Sequence, residues 1–188
     1  MHNRLIACVL GGTAPRAHTE LHDVAFAVGD SLEAVHMQLL DSWFGDPDGL
    51  HVDAWCVVDS VAGYRVRLAR APADNGLQLY FVNIGGYRAG EFGERHAWGL
   101  FGAASKSEAK ARAKATLLAG HQEIHKDDQH AVDDCLAVDA VGGWHVHLEP
   151  DADAIDPPVS NGYFPLPLAS VRAWKAARDA PKIPGGKR

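Results

Sequence analysis

The chain has 188 residues, of which 47% are hydrophobic and 22% charged, a composition typical of a globular protein with one compact domain or two small ones. Its formal net charge of −6 argues against nucleic acid as a main partner, because binding to phosphates requires a basic surface. No apolar stretch approaches the roughly 20 residues that a membrane span needs, so the sequence predicts no membrane partner.

The three cysteines are Cys8, Cys56 and Cys135, and they form neither a C-x-x-C motif nor an even framework. Isolated cysteines of this kind are typical of reduced thiols in the cytosol. The cysteine usage therefore predicts a cytoplasmic protein.

The first predicted strand, Leu5–Leu10, ends at the pair Gly11 and Gly12. Neither G-K-[ST] nor G-x-x-G follows this pair, so it predicts a turn rather than a phosphate-binding loop. A second strand is predicted over residues 23–28, where alternation places three apolar side chains on one face, namely Val24, Phe26 and Val28.

A helix is predicted over residues 31–43, because apolar side chains recur there at helical spacing, namely Leu32, Val35, Leu39 and Trp43. Asp30 and Glu33 resemble a capping box at its start. The next two strands, over residues 52–58 and 64–68, are predicted to form a hairpin. The inner face of the second carries Tyr64, Val66 and Leu68.

This pattern is then repeated along the chain. At an offset of 80, eight of the seventeen residues from Val52 to Leu68 are identical to their counterparts. At an offset of 74, the Gly-Gly pair and the Glu-x-His unit both recur, with Gly11, Gly12, Glu20 and His22 matching Gly85, Gly86, Glu94 and His96. The second copy opens its helix with the stronger capping signal Ser105-x-x-Glu108.

The repeat predicts the domain organisation. The first copy covers residues 1–72 and the second covers residues 76–150. Residues 151–188 are predicted to hold a Pro- and Asp-rich connector, a short helix near Leu168–Arg178 and a basic tail.

Each copy has the order strand, strand, helix, strand, strand. The predicted fold class is therefore α+β, with two tandem ββαββ copies and mainly antiparallel sheets. Two long copies favour a pseudo-twofold dimer within one chain over a solenoid, which needs three or more repeats.

The motifs GGTAPRAHTELHD and GGYRAGEFGERHA, together with the repeated V-x-G-[YW]-x-V-x-L, resemble an uncharacterised bacterial family. That family is catalogued only as a domain of unknown function and occurs in one or two tandem copies. The resemblance covers about residues 4–150, and it implies the duplicated fold without implying an activity or catalytic residues.

Candidate chemistry begins with His18, Glu20 and His22, which alternate in the first copy. If this segment is a strand, the three side chains lie on one face about 6.7 Å apart. Two histidines and a carboxylate suit Zn²⁺ or Fe²⁺ with positions left open for substrate. Phe92 replaces His18 in the second copy, so, if metal binds, one site in the first copy or one shared between the copies fits better than a symmetric pair.

The favoured interpretation of the Glu-x-His units is structural, ahead of ligand contact and of metal binding. A Glu-x-His unit also pins a loop to a sheet when the carboxylate accepts a hydrogen bond from the ring. A further group, His121-x-Glu123-x-His125, is predicted to lie in a solvated loop between helix and strand.

Two hypotheses about function follow. The first is a non-enzymatic module that binds a small molecule between the two copies, with candidate contacts at Gly11, Gly12, Glu20, His22, Gly85, Gly86, Glu94 and His96. The alternative is a metal-dependent, hydrolase-like enzyme that uses His18, Glu20 and His22, with Glu94 or His96 as a further ligand or general base. Both hypotheses are compatible with a homodimer.

Overall fold

The computed structural model describes residues 3–87, 90–117 and 134–180. The strands are β1 (Arg4–Gly12), β2 (Leu21–Gly29), β3 (His51–Val57), β4 (Ser60–Val61), β5 (Tyr64–Ala69), β6 (Gln78–Gly86), β7 (Arg95–Ala103), β8 (Asp134–Ala137), β9 (Ala140–Val141), β10 (Trp144–Pro150) and β11 (Ser160–Pro165). The helices are α1 (His36–Ser42), α2 (Lys106–Leu117) and α3 (Leu168–Asp179), and a short 3-10 turn, Glu33–Val35, precedes α1.

The chain divides into two compact units. The first comprises Ile6–Cys56 and the residues from Val159 onward, and the second comprises Asn3–Leu5 and Val57–Pro158. These units do not coincide with the two copies of the repeat, because the end of each copy lies in the second unit. The copy boundaries at residues 72, 76 and 150 stay a prediction.

The first unit is built on a four-stranded sheet in the order β11-β3-β1-β2. Its core contains the predicted helical stripe, since Leu32, Val35, Leu39 and Trp43 are all buried. The predicted capping pair is wrong, because Ser31 Oγ, rather than Asp30, accepts a hydrogen bond from the Ala34 amide at 3.3 Å. In β2 the core side is formed by small residues, Ala25 and Ala27, while the predicted face of Val24, Phe26 and Val28 is half-buried.

The second unit contains two sheets, in the orders β7-β6-β8 and β4-β5-β10-β9. Helix α2 packs on the first of these sheets through Ala109 and Ala113, which lie one turn apart and are fully buried. Its predicted capping signal is present, because Ser105 Oγ accepts a hydrogen bond from the Glu108 amide at 3.2 Å and Glu108 Oε2 accepts one from the Ala104 amide at 3.0 Å.

The predicted hairpin of the third and fourth strands is wrong. Strand β3 lies between β1 and β11, while β5 pairs with β4 and β10 in another sheet. The tight turn instead joins β4 to β5, where Gly63 has a φ of 85° that favours glycine. The connector after the second copy was also predicted without a strand, yet it contains β11, which pairs with β3.

The pairing of β5 with β10 carries the pseudo-twofold relation between the copies. Arg67 lies opposite His147, which is its own counterpart at the offset of 80. On either side, Val66 pairs with Leu148 and Leu68 pairs with Val146, so each pair repeats the other. A local twofold axis therefore passes through the middle of this sheet, as in an isologous interface. The predicted α+β class, the duplication and the mainly antiparallel sheets are confirmed.

Among the described residues, no helix is both long enough and apolar enough to cross a membrane.

Candidate functional site

Four polar side chains of the first unit meet at one end of its sheet, where β1 finishes and β2 and β3 begin. They are Glu20, which directly precedes β2, His22 in β2, and His51 and Asp53 at the start of β3, and we call them the histidine–carboxylate cluster. Two of them were predicted as site residues, whereas His51 and Asp53 were not.

The cluster is a ring in which acids and bases alternate. His51 Nε2 lies 3.2 Å from Glu20 Oε1 and 3.3 Å from Asp53 Oδ1. His22 Nε2 lies 3.1 Å from Asp53 Oδ2 and 3.8 Å from Glu20 Oε2. Each carboxylate therefore presents one oxygen to each imidazole ring.

Gly11 allows this ring to close. Strand β1 lies between β2 and β3, which places β2 and β3 about 9.6 Å apart, at twice the usual spacing. A Cβ atom at Gly11 would lie 2.4 Å from His51 Nε2 and 2.6 Å from Asp53 Oδ2, inside the space that the cluster fills. Only glycine leaves room there for side chains to reach across β1.

The predicted turn at the Gly-Gly pairs is consequently wrong. Gly11 and Gly12 belong to β1, Gly85 and Gly86 belong to β6, and none of the four has a positive φ. At Gly12 an added Cβ would meet the ring of Trp43 at 3.0 Å, on the core side of the strand. The first pair is explained by close approach of neighbouring side chains rather than by backbone conformation.

His51 defines the electrostatics of the cluster. Its side chain is 5% exposed, and its Nδ1 lies 3.0 Å from the carbonyl oxygen of Gly49. A carbonyl only accepts hydrogen bonds, so Nδ1 carries a proton and donates it. In a neutral ring, Nε2 would then direct a lone pair at two carboxylates. A positively charged group bound at this point would interact favourably with both carboxylates and with that lone pair.

Asp53 adds a second unsatisfied group. Its Oδ2 is buried and has no hydrogen-bond partner, and its nearest basic atom is His22 Nε2 at 3.1 Å. Glu20 and His22 are 48% and 44% exposed, so solvent reaches one side of the cluster while His51 closes the other. A buried oxygen without a hydrogen bond calls for an explanation, and a bound ligand is one explanation that an accessible rim permits.

The third residue of the predicted metal triad lies elsewhere. His18 is exposed and takes part in none of the cluster's contacts, because the segment before Leu21 is a loop rather than the strand that alternation required. Among the described residues, no group of three or more His, Cys, Asp or Glu is arranged to hold a metal ion. Metal binding by His18, Glu20 and His22 stays a prediction.

The second copy keeps only part of this arrangement. Glu94 precedes β7, and its Oε2 lies 3.7 Å from His96 Nε2, while His96 Nδ1 lies 3.2 Å from Asn83 Oδ1. Gly85 pairs with His96 across β6 and β7. Alanine stands at position 131, the counterpart of His51, and this position and the predicted group at 121–125 lie outside the described residues. The predicted location of a ligand between the copies stays a prediction.

The described cysteines are not activated nucleophiles. Burial raises the pKa of Cys8 to about 12, helped by the neighbouring Cys56 thiol. Burial also raises the pKa of Cys56 and of Cys135, so all three favour the neutral thiol at physiological pH.

Comparison with known proteins gives a family and a solved relative. The chain matches the family described as Domain of Unknown Function (DUF1543) over residues 17–68 and 91–148, which include the whole histidine–carboxylate cluster. It is similar to the crystal structure of a protein Il1583 from Idiomarina loihiensis, with 34% sequence identity, a TM-score of 0.66, and coverage of 88% of this chain and 99% of that chain. No curated protein matches it.

Proposed function

This chain belongs to the family described as Domain of Unknown Function (DUF1543), and from its own site we propose that it is a non-enzymatic module that binds a positively charged ligand at the histidine–carboxylate cluster. The observation that carries the proposal is the position of His51 Nε2, which faces Glu20 Oε1 and Asp53 Oδ1 while Nδ1 is committed to the Gly49 carbonyl.

The charge of the cluster supports a cation over an anion. Glu20 and Asp53 contribute two negative charges within a few ångströms, and an anionic ligand would add a third. A cation neutralises the carboxylates and places positive charge where His51 Nε2 and the two carboxylate oxygens converge. The net charge of −6 also favours a small cation over nucleic acid as a ligand.

The proposal concerns the first unit, which holds Gly11, Gly12, Glu20 and His22. The second set of predicted contacts, Gly85, Gly86, Glu94 and His96, provides an internal comparison, since alanine replaces His51 in that copy. A homodimer and a cytoplasmic location stay predictions.

A calorimetric titration tests the proposal. Wild-type protein is titrated with choline, Mg²⁺ and Zn²⁺ as cations, and with acetate as an anion. We expect saturable binding of at least one cation and none of acetate. Asp53→Asn should weaken that binding by about 10- to 100-fold, because a hydrogen-bonded charge contributes about 1.5–3 kcal/mol.

The matched control is Asp23→Asn, which removes the same charge from an exposed carboxylate of β2 whose contact is the amide of Val24. This control should bind like the wild type. Equal losses in the two variants, or no cation binding in the wild type, would contradict the proposal.

A second candidate function is a metal-dependent, hydrolase-like enzyme. It is favoured by one observation, that both histidines present Nε2 to carboxylate oxygens at 3.1–3.3 Å, the donor types that Zn²⁺ and Fe²⁺ accept. In this version His51 takes the place that the sequence suggested for His18, and a metal displaces the ring protons on binding.

Metal content by mass spectrometry tests this candidate in protein purified without a tag or chelator. Near-stoichiometric Zn or Fe in the wild type, lost in Glu20→Ala/His22→Ala and kept in Glu94→Ala/His96→Ala, would favour it and justify a hydrolase screen. Protein that contains no metal and takes up neither ion on addition would eliminate it.

A further inference from the structure

Strand β11 carries an aromatic side chain to the rim of the cluster. Its register with β3 shifts between Asn161, opposite Ala54, and Phe164, opposite Val52. Two residues, Gly162 and Tyr163, therefore oppose the single residue Asp53. This is a β-bulge, a device that redirects a side chain and that occurs frequently beside binding sites.

The bulge brings Tyr163 against the cluster. Its ring centroid lies 4.6 Å from that of His51, with the two planes tilted by 47°. Gly162 has a φ of 154°, which an ordinary side chain rarely adopts, so glycine supports this arrangement. Tyr163 is nevertheless 68% exposed, which means that most of the ring is open to solvent or to a ligand.

The exposed Tyr163 ring lies against the His51 ring, whose Nε2 in turn faces two carboxylates, so an aromatic face and negative charge belong to one site. Metal ions take oxygen, nitrogen and sulfur donors, and a phenyl face adds nothing to their coordination. Organic ammonium groups use both features, because the charge is attracted to carboxylates and to the aromatic face while the attached carbons pack on the ring.

We infer that the cluster binds an organic ammonium compound, with Tyr163 as a specificity-determining residue that covers its alkyl groups. This inference rests on the proposed cation site and narrows it to one class of ligand. Tyr163 lies beyond both segments that match the family, so the C-terminal strand supplies a contact that the repeat itself does not contain.

The test compares choline with 3,3-dimethyl-1-butanol, which has the same shape but no charge, and with Zn²⁺, by calorimetry on the full chain. Choline should bind and the neutral alcohol should not. Tyr163→Ala should weaken choline binding by about two- to thirtyfold, the range expected for loss of a cation–π contact. Tyr163→Phe keeps the ring and should bind choline as the wild type does.

Titration with Zn²⁺ distinguishes a direct contact between Tyr163 and the ligand from an indirect effect in which Tyr163 only supports His51. If Tyr163 only held the His51 ring, then Tyr163→Ala would weaken any Zn²⁺ binding as strongly as choline binding, and the inference would be wrong. Choline binding that is unchanged in Tyr163→Ala, or a wild type that binds Zn²⁺ but not choline, would also overturn it while leaving the proposed cation site intact. Absence of any cation binding by the wild-type protein would contradict both this inference and the proposed cation site.

Discussion

Replacing Gly11 with alanine is expected to lower the free energy of unfolding by about 1–3 kcal/mol and to abolish cation binding. The added Cβ would lie 2.4 Å from His51 Nε2 and 2.6 Å from Asp53 Oδ2, so the cluster has to move. His51 has little freedom to do so, because it is buried and its Nδ1 is bonded to the Gly49 carbonyl. Chemical denaturation and calorimetry measure the two effects separately.

Gly12→Ala is the matched control, one residue further along the same strand. Its Cβ would meet the Trp43 ring at 3.0 Å and would not touch the cluster. We expect a smaller loss of stability and unchanged cation binding. If the two variants behaved alike, the glycines would serve the backbone rather than the cluster, and the explanation given for Gly11 would be wrong.

Leu148→Ala is expected to lower the free energy of unfolding by about 2–5 kcal/mol. Leu148 lies in β10 opposite Val66, beside the local twofold axis, and its side chain is fully buried. Truncation leaves a cavity in the sheet that both copies share, so the loss should appear in the unfolding of the second unit. Denaturant titration followed by tryptophan fluorescence measures it.

Leu68→Ala is the control, because Leu68 is the counterpart of Leu148 at the offset of 80 and pairs with Val146. Leu68 is only half-buried, so its truncation should cost less than half as much. Equal losses of stability in the two variants would contradict the difference in burial between Leu68 and Leu148.

Features recorded in neighbouring residues could be predicted from the sequence. The stripe of Leu32, Val35, Leu39 and Trp43 gave the first helix because its spacing is local. The duplication was equally visible, since identical residues recur at fixed offsets. The partner of each strand was not predictable in this way, because pairing depends on distant segments. Strand β11 was missed for a related reason, since its Pro- and Gly-containing sequence is typical of a connector.

The candidate site shows the same limit. Glu20 and His22 were identified because they repeat as Glu94 and His96, whereas His51 was passed over because its counterpart is Ala131. One signal could have found it. His51-x-Asp53 has the same two-residue spacing as Glu20-x-His22, and both units stand where a strand begins. The two units lie together because of the strand order, in which β1, with Gly11, is the single strand between β2 and β3. This order could not be predicted from the sequence.

The most direct measurement is two-bond ¹H–¹⁵N NMR of the histidine rings in the wild-type protein, recorded while choline and Zn²⁺ are added in separate titrations. A cation site at the cluster predicts that His51 Nδ1 stays protonated and that the ring signals of His22 and His51 shift saturably with at least one cation. His145 and His147, in the second unit, should not shift. Rings of His22 and His51 that respond to neither cation would contradict the account and leave the cluster as a structural clasp.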